Sequence, residues 1–149
     1  MDTTTAQRRE INVLLAKYSE SHLNHTNELI HFVCVPVIVF CLLGILWWSH
    51  PLAAVATVMA SLFYYFKLSP AFAAGMVVMA GGMLVLLSLM PAQTVLPLSI
   101  AIFVLAWIGQ FIGHKLEGKK PSFLDDLRFL LIGPLFVLSF VYRRLRLSW

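Results

Sequence analysis

Residues 71–90 have the sequence AFAAGMVVMAGGMLVLLSLM, a stretch without a single charged side chain. A helix of about 20 apolar residues is long enough to cross the hydrocarbon core of a lipid bilayer. The whole chain agrees with this, because 60% of its 149 residues are hydrophobic and only 12% are charged. Soluble domains are about half apolar and about a quarter charged. The sequence therefore predicts an all-α integral membrane protein.

Similar apolar stretches on either side predict a transmembrane bundle of four helices within a single membrane domain, residues 1–149. The expected spans are at about residues 32–48, 52–66, 71–90 and 94–113. The connections between them are short, so consecutive helices are expected to pack as antiparallel neighbours.

The last apolar stretch, within residues 123–142, differs from the four spans. It is shorter, it is interrupted by Gly133-Pro134, and basic residues flank both of its ends. A true span would place one of these basic groups on the wrong side of the membrane. We therefore predict a short re-entrant or interfacial helical segment, with both ends at one face.

The basic residues also predict the orientation. With the N-terminus in the cytoplasm, Arg8, Arg9, Lys17 and Lys67 all lie inside, as do the basic residues after the fourth span. The two opposite loops contain no Lys or Arg, so the arrangement obeys the positive-inside rule and both termini are expected in the cytoplasm. Because the basic residues do not form one broad surface, nucleic acid is not an expected partner. The expected partner is the lipid bilayer.

Histidines are the most informative polar residues. The chain has five, at positions 22, 25, 31, 50 and 114, and all except His50 map to the predicted cytoplasmic side. Neutral imidazole is the commonest metal ligand, and an all-nitrogen set suits iron, zinc, copper or nickel. The same distribution would arise if these histidines were ordinary boundary residues. Both interpretations, a metal site and a polar boundary, stay open on the pattern alone.

Spacing places polar neighbours beside two of the histidines. Asn27 lies four residues before His31, and Gln110 lies four residues before His114, so each amide shares a helix face with an imidazole. Glu117 follows His114 by three residues. Such neighbours can orient a histidine ring or join the metal ligands.

His22 and His31 can share a site only if the helix between them is broken. Nine residues of straight helix correspond to about 900°, which puts the two rings on opposite faces. Residues 24–27, Asn-His-Thr-Asn, are the predicted position of the break, because Asn and Thr are natural N-caps. Tyr18, four residues before His22, is either a packed aromatic or a catalytic phenol.

Two blocks of sequence together resemble a known family. The first comprises Tyr18-Ser-Glu-Ser-His22, Asn27-Glu-Leu-Ile-His31 and Pro36. The second comprises Gln110-Phe-Ile-Gly-His114, Glu117, Pro121, Asp125-Asp126-Leu127 and Gly133-Pro134. They are similar to the fungal 2-hydroxy-fatty-acid dioxygenases, small membrane proteins, and the resemblance extends from about residue 18 to residue 136.

This resemblance implies an iron(II)-dependent oxidoreductase of fatty-acid α-oxidation, a pathway that includes the breakdown of phytosphingosine. It would use O₂ to shorten a 2-hydroxy fatty acid by one carbon. The implied metal ligands are His22, His31 and His114, with His25 as an optional addition. The implied catalytic neighbours are Tyr18, Asn27, Gln110 and Glu117. The short chain suggests a bacterial member, in the inner membrane.

Two other classes of function remain compatible with the residues. A haem or electron-transfer protein would use two histidines as axial ligands. A non-enzymatic scaffold or transport protein would carry its histidines at the membrane boundary without a metal.

Overall fold

A computed structural model describes residues 3–20, 22–118 and 130–147. Within these ranges the chain is helical and has no strand. The helices are α1 (Thr3–Ser19), α2 (His25–Ser49), α3 (Pro51–Leu68), α4 (Pro70–Leu89), α5 (Ala92–Leu116) and α6 (Ile132–Arg144). Four of them, α2 to α5, are long and apolar enough to cross a membrane. The predicted all-α membrane bundle is confirmed.

Each predicted span lies within one of these four helices, apart from Met90, which follows the end of α4. The helices are longer than the apolar stretches because polar turns at their ends remain helical. The N-terminal turn of α2, for example, begins at His25 rather than at residue 32. α3 and α4 each begin with a proline, Pro51 and Pro70. Proline suits a first helical position, since its backbone dihedral is already helical and no N–H is needed there.

The closest helix pair in the bundle is α2 with α5, which are not consecutive in the chain. Small residues allow this approach. A Cβ added at Gly44 would collide with the Ser99 side chain, and one added at Gly109 would lie 2.9 Å from Cys34 Sγ. Membrane helices commonly use such small residues to bring their backbones together. The prediction of antiparallel neighbours is right for α2 with α3 and α3 with α4, but wrong for α4 with α5, which share few contacts.

Helix α1 was not predicted, because its residues are largely polar. Its apolar positions nevertheless follow a helical spacing, with Ile11 and Tyr18 buried and Leu14 and Leu15 partly buried. This stripe packs against α3 and α6. The spacing of these apolar residues therefore indicated a helix. The apolar stripe is short, however, and the residues around it are polar, so it was not recognised.

Helix α6 is too short to cross a bilayer by itself, since its length is about 20 Å. It begins at Ile132, so Gly133-Pro134 lies in its first turn and does not interrupt it. The first eight residues, from Ile132 to Ser139, are all buried, and α6 packs against α1, α2 and α4. A short helix that does not span is therefore present at the predicted position. Its placement as re-entrant or interfacial stays a prediction, and residues 123–129 of that segment lie outside the described ranges.

Replacement of Gly44 by alanine is expected to destabilise the bundle by about 1–3 kcal/mol, because the new methyl group meets the Ser99 hydroxyl in a close-packed interface. Thermal unfolding in detergent measures this. The matched control is Gly82→Ala, where a Cβ meets nothing within 4 Å. Adding Ser99→Ala to Gly44→Ala should recover most of the loss. Equal stability of the two single variants would contradict the proposed close contact.

Candidate metal centre

A break in the helical chain brings two distant histidines together. α1 ends at Ser19, and α2 begins at His25 behind an N-cap. The side chain of the cap, Asn24, accepts hydrogen bonds from the backbone N–H groups of Thr26 and Asn27, at 2.9 and 3.4 Å. As a result His22 Nε2 lies 3.0 Å from His31 Nδ1. The expected break between His22 and His31 is present, with Asn24 as the N-cap, but it lies between Ser19 and His25; residues 25–27 of the predicted run form the first turn of α2.

The third histidine arrives from the other end of the chain. His114 lies in the last turn of α5, and its ring centroid is 5.0 Å from that of His31 and 6.1 Å from that of His22. The His22 and His31 centroids are 4.0 Å apart. All three side chains are buried. We call His22, His31 and His114 the histidine cluster; it lies at the end of the bundle where α2 begins and α5 ends.

The structure does not bring the other two histidines to this cluster. His25 is exposed at the first turn of α2, where its Nδ1 lies 3.5 Å from the Glu28 carboxylate. His50 lies at the opposite end of α2 and caps α3, its Nδ1 accepting a hydrogen bond from the Leu52 N–H at 3.2 Å. The geometry thus does not support His25 as an additional metal ligand.

Tyr18 orients the ring of His22. The two rings stack with their centroids 4.5 Å apart and an interplanar angle of 12°. The Tyr18 carbonyl oxygen lies 2.8 Å from His22 Nδ1. A carbonyl can only accept, so Nδ1 carries the proton and the lone pair of Nε2 points toward His31. A backbone carbonyl that selects the tautomer in this way is typical of histidines that bind metals.

Glu117 connects the end of α5 to the break between α1 and α2. Its carboxylate accepts hydrogen bonds from the backbone N–H groups of Leu23 and Asn24, both at 2.9 Å, and from Asn27 Nδ2 at 3.0 Å. Partial desolvation opposes ionisation, but the hydrogen bonds from Asn24, Asn27 and Leu23 outweigh it and hold the pKa of Glu117 below its ordinary value. The geometry thus makes Glu117 and Asn27 positioning residues, which hold the chain beside His22.

Gln110 shares a small cavity with the cluster. The cavity has a volume of about 30 Å³ and is lined by Tyr18, His31, Val35, Ile38, Trp107, Gln110, Leu130 and Gly133. A cavity of this kind has room for one or two molecules of the size of water. His31 Nε2 and Gln110 Oε1 are buried, and neither has a hydrogen-bond partner in the parts of the chain that the structure describes. Such atoms are costly unless a ligand, water or ion pairs with them.

The cluster has the donors for a metal ion, although they are not arranged around one point. In the described ranges, no group of three or more His, Cys, Asp or Glu side chains has a geometry ready to hold an ion. Two imidazole nitrogens that bind one ion at roughly 2.1 Å lie roughly 3.4 Å apart in a tetrahedral site and roughly 3.0 Å apart when they bind at right angles. His22 Nε2 and His31 Nδ1, which share a hydrogen bond in this structure, are 3.0 Å apart. Three neutral imidazoles are a set of donors that transition-metal ions accept, and their chemistry does not select which ion.

Several residues of the site were not found from the sequence. The backbone groups of Leu23 and Asn24 that bind Glu117 carry no sequence signal, because every residue has an N–H. Trp107 lies three residues before Gln110 and shares its helix face, a spacing that could have indicated it. Pro121 and Asp125-Asp126, part of the second sequence block, lie outside the described residues.

The fold and the cluster together define a class: a small all-α membrane bundle with buried histidines at one end. Within this class, the chain belongs to the Mpo1-like family, whose model, described as 2-hydroxy-palmitic acid dioxygenase Mpo1-like, matches residues 9–145. A curated relative from Saccharomyces cerevisiae, the 2-hydroxy-palmitic acid dioxygenase MPO1, is 33% identical over 135 residues, covering 83% of this chain and 75% of the relative. No solved structure matches the chain at a significant level. The predicted resemblance is confirmed, and the matched range contains the positions of His22, His31 and His114.

Replacing Glu117 by glutamine is expected to lower the free energy of unfolding by about 1 kcal/mol, because the solvent-exposed backbone N–H groups of Leu23 and Asn24 lose a charged acceptor. Because the folded-state pKa of Glu117 is lowered, this stabilisation is fully present above the unfolded value of about 4.3 and is lost as the pH falls through the folded value.

Thermal unfolding of wild type and Glu117→Gln between neutral pH and pH of about 3 measures both effects. The difference between their melting temperatures should shrink on the acid side. The control is Glu10→Gln, because Glu10 is exposed on α1. A difference that is constant with pH, or equal to that of the control, would show that the carboxylate does not hold the break.

Proposed function

We propose that this protein is an iron(II)-dependent dioxygenase that shortens 2-hydroxy fatty acids by one carbon, with His22, His31 and His114 as the metal ligands. The observation that carries the proposal is the convergence of three buried imidazoles from α5 and from both sides of the α1–α2 break. Membership of a family whose yeast relative is named a 2-hydroxy-palmitic acid dioxygenase supports the reaction and the substrate class.

Three protein ligands suit this chemistry because they leave coordination positions open. When bound, the metal would supply the site at which O₂ is activated. A 2-hydroxy acid can approach such a site through its carboxylate and its hydroxyl group. Gln110, buried beside His31 in the small cavity, has amide donors and an acceptor to orient these oxygens. The cavity is small enough to admit the reacting groups and little water.

The remaining site residues keep the ligands in place. Tyr18 fixes the tautomer and the ring plane of His22 by stacking and by its carbonyl oxygen. Asn27 and Glu117 bind each other, and Glu117 holds the backbone directly after His22. Asn27 and Glu117 do not line the cavity, and we assign them to positioning. Tyr18 and Gln110 line it together with His31, which makes them the polar side chains nearest to the reacting groups.

The distribution of basic residues supports a location of the cluster at the cytoplasmic face of a bacterial inner membrane, with both termini inside. Lys115 is exposed next to His114, where it can attract a carboxylate or a lipid phosphate. Lys119 and Lys120, which the sequence suggests for the same role, lie outside the described residues.

Metal content tests the assignment of the ligands. Protein purified without oxygen and supplied with iron(II) should retain iron. Alanine replacement of His22, His31 or His114 should lower the retained iron at least about tenfold, which is the lower end of the loss expected for a residue that only supports a ligand. His25→Ala and His50→Ala are matched controls and should retain iron like wild type. Equal iron in all five variants would remove the cluster as the metal site. A Soret band in the purified protein would instead identify a haem protein.

Turnover tests the reaction. Iron-loaded wild type should consume O₂ when 2-hydroxypalmitate is added, and mass spectrometry should show the acid that is one carbon shorter. Palmitate, which lacks the 2-hydroxyl group, is the control substrate and should give neither. An iron-replete protein that consumes no O₂ with any 2-hydroxy acid would overturn the proposed function while leaving the metal site intact.

A further inference from the structure

A second cavity, partly open to the surface of the bundle, lies between α2, α3 and α4 and the start of α6. Its volume is about 110 Å³, and its walls are aliphatic, including Leu42, Leu46, Val58, Ala80 and Pro134. An enclosed apolar cavity of about 150 Å³ accepts a molecule of the size of benzene. A longer hydrocarbon chain would therefore occupy this cavity with part of its length and continue along the open side.

Polar side chains in the wall of this cavity have their hydrogen bonds satisfied elsewhere. Thr57 donates to the Ala53 carbonyl and Ser61 donates to the Thr57 carbonyl, both at 2.9 Å within α3. Tyr65 donates to the Leu131 carbonyl at 2.8 Å. The wall therefore offers methyl and methylene groups rather than free donors. A ligand that fits it is a hydrocarbon.

The second cavity adjoins the one beside the histidine cluster. Leu130 lines both. On α2, the lining residues Val35, Ile38, Leu42 and Leu46 follow His31 at intervals of three or four residues, so they occupy one face of the helix. This face begins at a buried imidazole and continues as a purely aliphatic strip.

The length of the strip matches a fatty acyl chain. From Val35 to Leu46 the rise along the helix is about 16 Å. One acyl chain fills about half of the ~30 Å hydrocarbon core of a bilayer, which is about 15 Å. The strip also has a polar end suited to a carboxylate and a hydroxyl group, at His31 Nε2 and Gln110 Oε1.

We propose that the two cavities, which adjoin at Leu130, form the acyl channel for the 2-hydroxy fatty acid, an inference that rests on the proposed function. The carboxyl end lies beside His31 and Gln110, and the chain follows the α2 strip toward Leu46. Leu42 and Leu46 set how long a chain is accepted. A bilayer phospholipid is the competing occupant of the apolar part. The polar end favours a fatty acid, because the cavity of about 30 Å³ beside His31 and Gln110 has room for a carboxyl and a hydroxyl group but not for a phospholipid headgroup.

Photolabelling tests this without any turnover. Metal-free wild type in lipid nanodiscs is irradiated with 2-hydroxypalmitate that carries a diazirine at the chain end, and labelled peptides are identified by mass spectrometry. Labels within residues 39–46 or 57–62, competed by unlabelled 2-hydroxypalmitate, would support the channel. Labels on lipid-facing residues such as Val78, 77% exposed, or labels that excess 2-hydroxypalmitate does not displace, would overturn it.

Chain-length selection provides the second measurement. Leu42→Trp fills the channel midway, so the preference for 2-hydroxypalmitate over 2-hydroxyoctanoate should fall about tenfold or more, both in competition for the label and in turnover. Leu46→Trp, nearer the far end, should have a smaller effect. Leu105→Trp on α5 is the control, because Leu105 is 67% exposed and lines neither cavity. An unchanged preference in a folded Leu42→Trp variant would overturn the proposal.

The two proposals fail in distinguishable ways. Specific labelling of the channel by wild type that consumes no O₂ would remove the dioxygenase activity and keep a fatty-acid binding site. Normal O₂ consumption together with labels outside the channel would keep the enzyme and remove the channel. If Leu42→Trp does not fold, the labelling pattern of the wild-type protein still shows whether the acyl chain lies in the proposed channel.

Discussion

The close approach of α2 and α5 is the constraint on which the rest of this structure depends. Gly113 packs directly against the Asn27 side chain, so the first turn of α2 and the last turn of α5 lie at the same level of the bundle. This contact places His114 beside His31, and it brings Glu117 within reach of the backbone after His22. Larger side chains along this interface would separate the helices and, with them, the histidines.

The polar interactions at this end form one connected arrangement. Asn24 ends the break by capping α2, Glu117 holds the break against α5, and Tyr18 aligns His22. In an apolar bundle, buried polar groups are expensive and persist when they serve a function. Here the arrangement concentrates three imidazoles and an amide at one end of an otherwise apolar bundle.

The sequence predicted best those features that depend on a short stretch of residues. Uncharged stretches of about 20 residues predicted the four spans, because a bilayer imposes this length on any spanning helix. The break at Asn24 followed from the requirement that His22 and His31 share a site, together with the capping preference of asparagine. Helix α1 was not predicted from the sequence, because four apolar positions on a polar helix give a weak periodic signal. The pairing of α2 with α5 was missed because short loops favour sequential neighbours but do not enforce them.

By itself the sequence determined that this is a four-span membrane protein with histidines toward one end, since hydropathy and charge act locally and need no knowledge of packing. The two sequence blocks also indicated the family. Only the tertiary structure decided which histidines meet. His25 is only three residues from His22 but points to solvent, whereas His114 comes from the far end of the fourth span and joins the cluster. The physical reason is that two side chains meet only if their helices are rotated toward each other and small residues let the helices approach. The spacing of residues along the chain does not show either of these.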